Sequence, residues 1–465
     1  MVEQCLYCET PFDEQTALVQ HLAADHEPAE LSRIDRRKVE RHNRHTWAVI
    51  PRRTMIRGAG SMAIGGILLG GWYTAITSAQ GGNPSGWSMF SADLANTGTI
   101  DTTGVAAPVE EQWRFETPGS VGSAPAVVDG TVYVGSRNDY MYALDAEDGS
   151  EEWNFQSVGW GFDSSPAVVD GIVYIGSDDG NVYAIDADDG SEEWNFETGA
   201  NWVSSSPAVV DDTVYIGSYS PTADNGRVYA IDADDGSEEW NFETGANWVQ
   251  SSPAVVDGTV YVGSDDNHVY ALDAGDGSKE WDFDTGAIVS SSPAVVDGTV
   301  FVGSRDNNVY ALDAGDGSEV WRFGTDDEVN SSPAVAEGTV YVGSNDDHVY
   351  ALDTGNGSEL WRFDTGGEVS SSPAVVDGTV YVGSWDDNVH ALDTDDGSEV
   401  WRFETGGRIF SHPAVWDNTV YVGSEDDHVY ALTGPDPNNP TIGTINITNS
   451  TFENNTVGIQ IGDDE

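Results

Sequence analysis

Two cysteines and two histidines near the start of the chain have the types and spacing of a metal site. Cys5, Cys8, His21 and His26 follow the pattern C-x2-C-x12-H-x4-H. Two thiolates and two imidazoles suit tetrahedral zinc, and this spacing lets a short hairpin supply the sulfurs and one helix supply both nitrogens. The apolar positions between the ligands also suit a small core, which makes chance spacing the weaker alternative.

Residues 1–30 resemble a C2H2 zinc finger. In such fingers the bases are contacted from helix positions −1, 3 and 6. Those positions here resemble Glu14, Ala17 and Gln20, and none of them is a guanine-reading arginine. We therefore expect the finger to contact a protein or to be structural, with nucleic-acid contact as the alternative.

A basic stretch and an uncharged segment follow the finger. Residues 31–57 hold nine of the chain's 18 basic residues, which keeps nucleic-acid contact open, although a helix lying on anionic lipid also explains them. Residues 58–79 form a run of 22 residues without a charge. A helix rises about 1.5 Å per residue, so this run is long enough to cross the hydrocarbon core.

The chain around this run has two interpretations. Residues 52–57, RRTMIR, resemble a twin-arginine export signal, and Thr77, Ser78 and Ala79 offer small residues for cleavage. A permanent anchor is the other interpretation, and positive charge before the span predicts the N-terminus inside and the later part outside. Cleavage would discard the metal site. We therefore expect an uncleaved anchor in the cell membrane, with a secreted product as the alternative.

The charge balance constrains the partners of the main body. The chain has 80 acidic and 18 basic residues, a net charge of -62, and the acids recur through nearly every segment after residue 100. This solvated acidic surface resembles the proteins of extreme halophiles. It also argues against nucleic-acid binding by the main body, which would need a basic surface.

From residue 113 the chain repeats itself. The steps between equivalent prolines are 40 or 41 residues, with one step of 46, and eight tryptophans keep the same spacing. Each copy contains two short apolar runs joined by Asp-Gly, a third run, and a D-x-x-x-G turn before the tryptophan run. Asp-Gly between such runs predicts a hairpin, so each copy reads as four strands. Eight copies of four strands predict an all-β, eight-bladed propeller over residues 112–433.

The repeat count also predicts how the ring closes. Eight prolines and eight tryptophans accompany only seven D-x-x-x-G turns, and the first tryptophan, Trp113, precedes every such proline. We therefore expect the N-terminal strand to complete the last blade, after a lead-in over residues 80–111. The tail, residues 434–465, is rich in Asn and Thr and contains three N-x-T triplets.

These motifs resemble the quinoprotein-type (PQQ-like) repeat, with its A-x-D-x-x-x-G-x-x-x-W core, and residues 86–98 resemble a common opening of such propellers. The family includes dehydrogenases that use pyrroloquinoline quinone and an outer-membrane assembly scaffold. The resemblance implies adjacent cysteines and a bound calcium for the enzymes, but the only cysteines of this chain are Cys5 and Cys8. We therefore expect no quinone. Calcium binding at the Asp-rich turns 186–190 and 232–236 is the alternative to ordinary turns, which Asp and Gly also suit.

The copies differ most in the loop before each SSP triplet. Three copies carry Trp160, Trp202 and Trp248 there, and the last copy carries Arg408 and Phe410. Exposed aromatic side chains on neighbouring blades could stack on a sugar or grip a peptide. Local packing of the loop is the alternative. If the propeller has a ligand face, we expect it at these loops.

Three histidines at one repeat position, His268, His348 and His428, alternate with asparagine in other copies. That equivalence favours a polar loop role over a shared metal site. Taken together, the sequence predicts a monomeric, membrane-anchored surface protein. An external propeller would act as a non-catalytic binding or assembly scaffold for a protein or carbohydrate, and a cytoplasmic zinc finger would contact a partner. A quinone-dependent dehydrogenase or a nucleic-acid-binding regulator are the alternatives.

Overall fold

The computed structural model describes residues 3–4, 11–12, 86–100, 102–159, 161–199, 202–219, 226–245 and 248–435. The chain divides into two units, Met1–Ser85 and Gly86–Glu465. In the first unit, β1 (Glu3–Gln4) pairs antiparallel with β2 (Pro11–Phe12). The four predicted zinc ligands, the basic stretch, the 58–79 segment, Trp160 and the tail after residue 435 lie outside the described residues. No helix within the described ranges is long and apolar enough to cross a membrane.

The second unit is an eight-bladed β-propeller, as predicted. Each blade is an antiparallel sheet of four strands, and one blade gains a fifth. The strands that open the unit are β3 (Gly86–Trp87) and β4 (Glu110–Glu116). Blade 1 contains β5 (Ala126–Val128), β6 (Thr131–Gly135), β7 (Tyr140–Asp145) and β8 (Glu151–Gln156), and blade 2 contains β9 (Ala167–Val169), β10 (Ile172–Gly176), β11 (Asn181–Asp186) and β12 (Glu192–Glu197). Blade 3 contains β13 (Ala208–Val210), β14 (Thr213–Ser218), β15 (Arg227–Asp232) and β16 (Glu238–Glu243), and blade 4 contains β17 (Ala254–Val256), β18 (Thr259–Gly263), β19 (His268–Asp273) and β20 (Lys279–Asp284). Blade 5 contains β21 (Ala294–Val296), β22 (Thr299–Ser304), β23 (Asn308–Asp313) and β24 (Glu319–Gly324), and blade 6 contains β25 (Ala334–Ala336), β26 (Thr339–Gly343), β27 (His348–Asp353) and β28 (Glu359–Asp364). Blade 7 contains β29 (Ala374–Val376), β30 (Thr379–Gly383), β31 (Asn388–Asp393) and β32 (Glu399–Glu404), and blade 8 contains β33 (Ala414–Trp416), β34 (Thr419–Ser424) and β35 (His428–Thr433).

The first hairpin of each blade follows directly from its sequence. In blade 1, Asp129 and Gly130 have φ values of 51° and 86°. Two successive positive φ values define the tight turn that matches the twist of a hairpin. Val127 then pairs with Val132. The inner two strands are buried on both faces, whereas the outermost strand alternates exposed acids with one buried tryptophan, such as Trp153.

The ring closes through its N-terminal strand, which confirms the prediction from the turn count. Strand β4 forms the outer edge of blade 8, with Trp113 opposite Ala431 in strand β35. Beyond the strand, the Thr117 N–H donates to the carbonyl of Asp427. Blade 8 therefore has its full set of four strands, and the two ends of the ring are hydrogen-bonded to each other.

The tryptophans join each blade to the next. The indole N–H of Trp281 in blade 4 donates to the carbonyl of Ala314 in blade 5 at 2.9 Å. In six other blades the indole N–H also donates to a carbonyl of the next blade. The acceptor is the residue that follows the first Asp of that blade's D-x-x-x-G turn. The indoles of blades 8, 1, 2, 3, 5 and 6 donate to Ala146, Ala187, Ala233, Ala274, Thr354 and Thr394, respectively. The core therefore lies between adjacent blades.

Blade 7 has no such turn to meet, because blade 8 lacks its D-x-x-x-G segment. The lead-in supplies the replacement. The Trp401 indole donates to the carbonyl of Val105 at 2.8 Å, and the Val105 N–H donates to the hydroxyl of Tyr381 at 2.6 Å. The lead-in thus occupies the eighth docking position.

The lead-in also fills the axis of the ring. Its carbonyls at residues 88, 94, 95, 97 and 98 accept the N–H groups of the inner-strand valines Val168, Val255, Val295, Val335 and Val375 in five blades. Asn96 is 3% exposed, and its amide donates to carbonyls of blades 4 and 5, including Pro293 at 3.1 Å. Because the inner strands surround the axis, this segment closes the central channel.

Candidate ligand-binding funnel

A funnel opens at the end of the ring that carries the inter-blade loops. Its walls combine two loops per blade: the loop leading into the inner strand, and the loop between the second and third strands. The cavity holds about 450 Å³, and residues from all eight blades or their preceding loops contribute to its lining. Phe90 of the lead-in is part of that lining and is 6% exposed, so the funnel is closed at its base.

A belt of serines runs around the lower wall. The N–H of Ser165 donates to Ser206 Oγ, that of Ser252 to Ser292 Oγ, and the remaining neighbours bond in the same way from Ala124 to Ser372. Each serine comes from the SSP triplet of a different blade. Since each hydroxyl accepts a backbone N–H from the preceding blade, the belt fixes the spacing of the inner strands while presenting hydroxyl groups to the cavity.

His412 replaces serine in the belt at blade 8. Its ring packs edge-on against Phe90, with centroids 4.9 Å apart, at the base of the funnel. Burial lowers the pKa of His412 to about 4, so the imidazole is neutral at pH 7, although part of the side chain opens into the funnel. Ser372 Oγ accepts the N–H of Ser332 and lies 3.4 Å from His412 Nε2. The other ring nitrogen, Nδ1, is buried and has no partner among the described residues.

The rim between blades 7 and 8 carries an arginine held over a tryptophan. The Arg408 guanidinium carbon lies 4.5 Å from the ring centre of Trp385. Phe410 packs edge-on against the same indole, with centroids 4.9 Å apart. Trp385 belongs to the loop between β30 and β31, whereas Arg408 and Phe410 belong to the loop leading into β33. This geometry is a cation–π contact at a partly exposed position.

A second aromatic group lies four blades away, between blades 3 and 4. Tyr219 stacks on Trp202 with centroids 4.8 Å apart and an interplanar angle of 11°, and it meets Trp248 at 4.6 Å. All three rings are partly buried, and Trp248 lines the funnel. Trp202 and Trp248 therefore satisfy much of their stacking surface within the protein.

Ion pairs occupy two further sectors of the rim. Arg137 Nε lies 2.7 Å from Asp163 Oδ1, and its Nη1 lies 3.7 Å from Glu425. Across the ring, Arg305 Nε lies 3.7 Å from Glu328. Ionic and aromatic sectors thus alternate around the rim.

Two carboxyl groups at this end are held partly in the acid form. Burial, reinforced by the charge of Asp163, raises the pKa of Asp178 to about 7, although Arg137 acts in the opposite direction. Burial raises the pKa of Asp265 to about 6 against the lowering effect of Arg305. The rim therefore changes charge between mildly acidic and neutral pH.

The predicted site residues fall into two groups. Arg408 and Phe410 come together at one sector, and Trp202 and Trp248 at the opposite sector, whereas Trp160 lies outside the described residues. The sequence interpretation missed Tyr219 and Trp385, which complete the two aromatic groups, and the rim arginines Arg137 and Arg305. All four follow a Gly-Ser pair after the second strand, where the copies read Arg, Asp, Tyr, Asp, Arg, Asn, Trp and Glu. This variation among the copies was the sequence signal that could have identified these four residues.

The three repeat-position histidines and the Asp-rich turns make local hydrogen bonds. His268 Nδ1 lies 2.9 Å from the carbonyl of Asp266, and His348 and His428 repeat this contact in their own loops. In the turn at 232–236, Asp232 Oδ1 accepts the N–H groups of the second and third following residues at 2.8 and 3.0 Å. These carboxylates cap their own turns.

The propeller has no cysteine, so it lacks the adjacent cysteines that the resemblance implies for a quinone enzyme. The funnel lining offers serine hydroxyls, carboxylates, amides and aromatic rings from separate blades. No group of three His, Cys, Asp or Glu side chains within the described ranges is placed to hold a metal ion.

Known proteins with the same fold differ widely in function. The structure resembles a europium-containing methanol dehydrogenase, with a TM-score of 0.65 and 16% identity over 76% of this chain and 98% of that one. It also resembles BamB from Moraxella catarrhalis, with a TM-score of 0.60 and 20% identity over 70% and 99% of the two chains. The computationally designed Ika8 protein gives a TM-score of 0.63 and 19% identity over 70% and 99%. Identities this low show the fold alone.

No curated protein matches the sequence of this chain. Four segments, residues 103–221, 201–296, 281–369 and 345–438, match the sequence profile of a family described as outer membrane protein assembly factor BamB. The matched residues cover the whole ring from the lead-in to the last strand. The chain therefore belongs to this family of PQQ-like repeat propellers.

Proposed function

We propose that the propeller is a non-catalytic binding scaffold that holds a segment of another protein in its funnel. One observation carries the proposal: the blades are nearly identical, and their departures from the repeat gather at this one opening. Trp385, Arg408, Phe410 and His412 form one sector, and Tyr219 with its two tryptophans forms the opposite one. Residues needed only for packing repeat in every blade, so the exceptions mark the surface that differs by function.

The funnel has the composition of a protein-binding surface. Aromatic and arginine side chains dominate the energetics of such interfaces, and hydroxyl groups around them supply hydrogen bonds. The belt and the inter-blade tryptophans hold these groups on a closed ring, so little ordering is needed when a ligand binds. The family description as an assembly factor agrees with this role.

The N-terminal part extends the proposal to the membrane. Zinc bound by Cys5, Cys8, His21 and His26 would form a cytoplasmic contact module, and residues 58–79 would anchor a monomeric chain with its propeller outside the cell. These assignments rest on the spacing of the ligands and on the charge distribution around the uncharged run. Mass spectrometry of the N-terminus from the membrane fraction tests them, because cleavage near residue 80 would remove both.

Site-specific photo-crosslinking tests the binding role. The photoreactive amino acid p-benzoylphenylalanine replaces Ser370 in the funnel wall and, as the matched control, Asp396 in an exposed turn at the opposite end of the same blade. In cells that produce the full chain, we expect discrete adducts with another protein from position 370 and not from position 396. Equal yields at both positions, or no adduct at position 370, contradict the proposal.

The dehydrogenase alternative has a direct assay. The full chain is incubated with pyrroloquinoline quinone and calcium, and reduction of an artificial dye is followed with a range of alcohols. We expect no quinone to remain bound after gel filtration and no turnover. Retained quinone with dye reduction would replace the scaffold role by an enzymatic one.

A further inference from the structure

Four departures from the repeat meet in one sector of the funnel. At their respective repeat positions, Trp385 is the only tryptophan, Arg408 the only cation, Phe410 the only phenylalanine and His412 the only histidine. Trp385 comes from blade 7, and Arg408, Phe410 and His412 come from the loop leading into blade 8. The contacts already described join Arg408 to Trp385 and Trp385 to Phe410. A coincidence of four exceptions at one place indicates a site built for a ligand.

Arg408 is the free cation of this site. The described part of the propeller has nine basic side chains, and eight of them lie within 4.0 Å of a carboxylate: Arg114, Arg137, Arg227, Lys279, Arg305, Arg322, Arg362 and Arg402. Within the same residues, Arg408 alone has no such partner. Arg408 favours the charged form of Glu368, but that carboxylate lies beyond 4.0 Å and forms no ion pair with it. The guanidinium is held instead by its stacking on Trp385.

Two buried nitrogens of the sector are also uncommitted, and the indole nitrogen is a donor. The indole N–H of Trp385 and the imidazole Nδ1 of His412 are buried and lack a partner among the described residues. His412 is neutral, so Arg408 provides the positive charge. A sector with one cation and a spare indole N–H suits an acceptor that carries negative charge, and a carboxylate matches the planar guanidinium in two parallel hydrogen bonds.

The closed base decides which kind of carboxylate can enter. Lead-in residues 88–98 fill the axis, so an extended chain can enter the funnel but cannot pass through it. A chain that enters end-on therefore ends within the funnel, below the rim that carries Arg408. A C-terminal residue combines the carboxylate that Arg408 lacks with a side chain that can pack on Phe410.

We propose that the funnel receives the C-terminus of an extended peptide and that Arg408 pairs with its terminal carboxylate. This inference rests on the proposed scaffold role and narrows its ligand to one chemical group. The aromatic group around Trp248, on the opposite wall, contacts the residues that precede the terminus. Arg408 therefore acts as a specificity residue, since it distinguishes a free C-terminus from an internal segment.

Two matched peptide pools provide the test. Both contain N-acetylated hexapeptides of random sequence; one ends in a free carboxylate and the other in a carboxamide. The full chain is immobilised, and the bound peptides are quantified by mass spectrometry for wild type, Arg408→Gln and the control Arg402→Gln. Arg402 is an exposed outer-strand arginine paired with Glu399. We expect the carboxylate pool to be enriched about tenfold, a preference lost in Arg408→Gln and kept in Arg402→Gln. Unchanged thermal midpoints confirm that both variants fold.

The remaining outcomes separate this inference from the scaffold role. Equal retention of both pools overturns the carboxylate assignment and leaves a peptide-binding funnel in place. A carboxylate preference that survives Arg408→Gln overturns the role of Arg408. If neither pool binds but oligogalacturonate binds in an Arg408-dependent way, the ligand is an acidic sugar, and both the inference and the protein partner are wrong. If nothing binds, the inference fails, and crosslinking at position 370 alone decides the scaffold role.

Discussion

Single side chains at the funnel end behave differently from their repeat equivalents. Asp178 occupies the position that Arg305 and Trp385 occupy in other blades, next to the ion pair of Arg137 and Asp163. Because it is partly buried beside another carboxylate, its charged form is disfavoured in the folded state. The residue therefore links the stability of the ring to pH.

Replacing Asp178 by Asn should remove this dependence. An acid whose folded pKa, about 7, exceeds its ordinary value of about 3.9 binds its proton more tightly when folded, so stability falls as the pH rises between these two values. At about pH 8 we expect Asp178→Asn to raise the free energy of unfolding by about 1–2 kcal/mol, allowing for screening by solvent, with little effect near pH 4. Urea unfolding at both pH values measures it.

The control for this experiment is Glu404→Gln. Glu404 is exposed at the end of strand β32, and its replacement removes the same unit of charge. Any general relief of repulsion is therefore shared by the two variants. A parallel pH dependence in both would show that Asp178 has no special role.

The D-x-x-x-G turn is the element that docks one blade on the next. Its first Asp caps the turn, the next residue accepts the tryptophan N–H, and its glycine lies against the indole face. A Cβ on Gly277 would lie 2.5 Å from Cε3 of Trp240, and the glycine has φ +69°. Both the conformation and the space at this position therefore require glycine.

Gly277→Ala should destabilise the ring by about 2–4 kcal/mol, the sum of backbone strain and overpacking against the indole. Gly258 in the same blade separates these two terms, because it has φ +85° and a Cβ added there would meet no atom within 4 Å. We expect Gly258→Ala to cost about 1 kcal/mol, from backbone strain alone. Equal shifts of the urea midpoint in the two variants would rule out the packing role of Gly277.

The lead-in is the second element that the ring depends on, through contacts to most of its inner strands. Asn96→Ala removes an amide that donates to three carbonyls, and we expect a loss of about 1–3 kcal/mol because those carbonyls stay buried. Amide hydrogen exchange should quicken at Val255, Val295 and Val335. The exposed Asn154, which bonds only Glu151 in its own strand, provides the control. Unchanged exchange at the three valines would mean that the lead-in does not stabilise the inner strands.

At the scale of the whole molecule, two opposing features set stability. The ring is closed by β4 and docked by eight indoles, whereas a net charge of -62 repels itself. Exposed pairs such as Arg362 with Glu359, 3.8 Å apart, offset little of that repulsion. The balance therefore depends on ionic strength.

Raising KCl from about 0.1 to about 2 M should increase the thermal midpoint, because the screening length falls from about 10 Å to less than about 3 Å. Matched solutions in which sucrose replaces the salt control for solute effects other than charge. Circular dichroism at constant protein concentration follows the transition. A midpoint that is independent of salt, or that falls, would show that self-repulsion does not limit this protein.

The sequence was sufficient to predict the ring of blades but not the segment that fills its axis. The repeat spacing predicts the blades, and the mismatch between eight tryptophans and seven turns predicts closure by β4. Nothing local in residues 86–98 indicates that they fill the channel, because their partners lie in six blades and Ser91, Ala92 and Asn96 adopt positive φ values without glycine. Such a path is determined by distant carbonyl and N–H groups rather than by a strand pattern.

The candidate site was predicted in part for a similar reason. The inter-blade loops stood out because Trp202, Trp248 and Arg408 interrupt a run of small or acidic residues. Their partners Tyr219 and Trp385 belong to a different loop of the repeat. Only folding the two loops against each other reveals which rings stack, so pairwise contacts required the structure.

The path of the lead-in has a consequence for the order in which a nascent chain becomes ordered. Residues 88–105 leave the ribosome early, yet their partners are made much later: Asn96 bonds Pro293, 197 residues on, and Val105 accepts from Trp401 after 296 residues. Contacts this distant in sequence form slowly. The first part of the propeller to be synthesised is thus among the last to be secured, and until blade 8 is complete the growing chain must be kept from pairing through its unfinished edges.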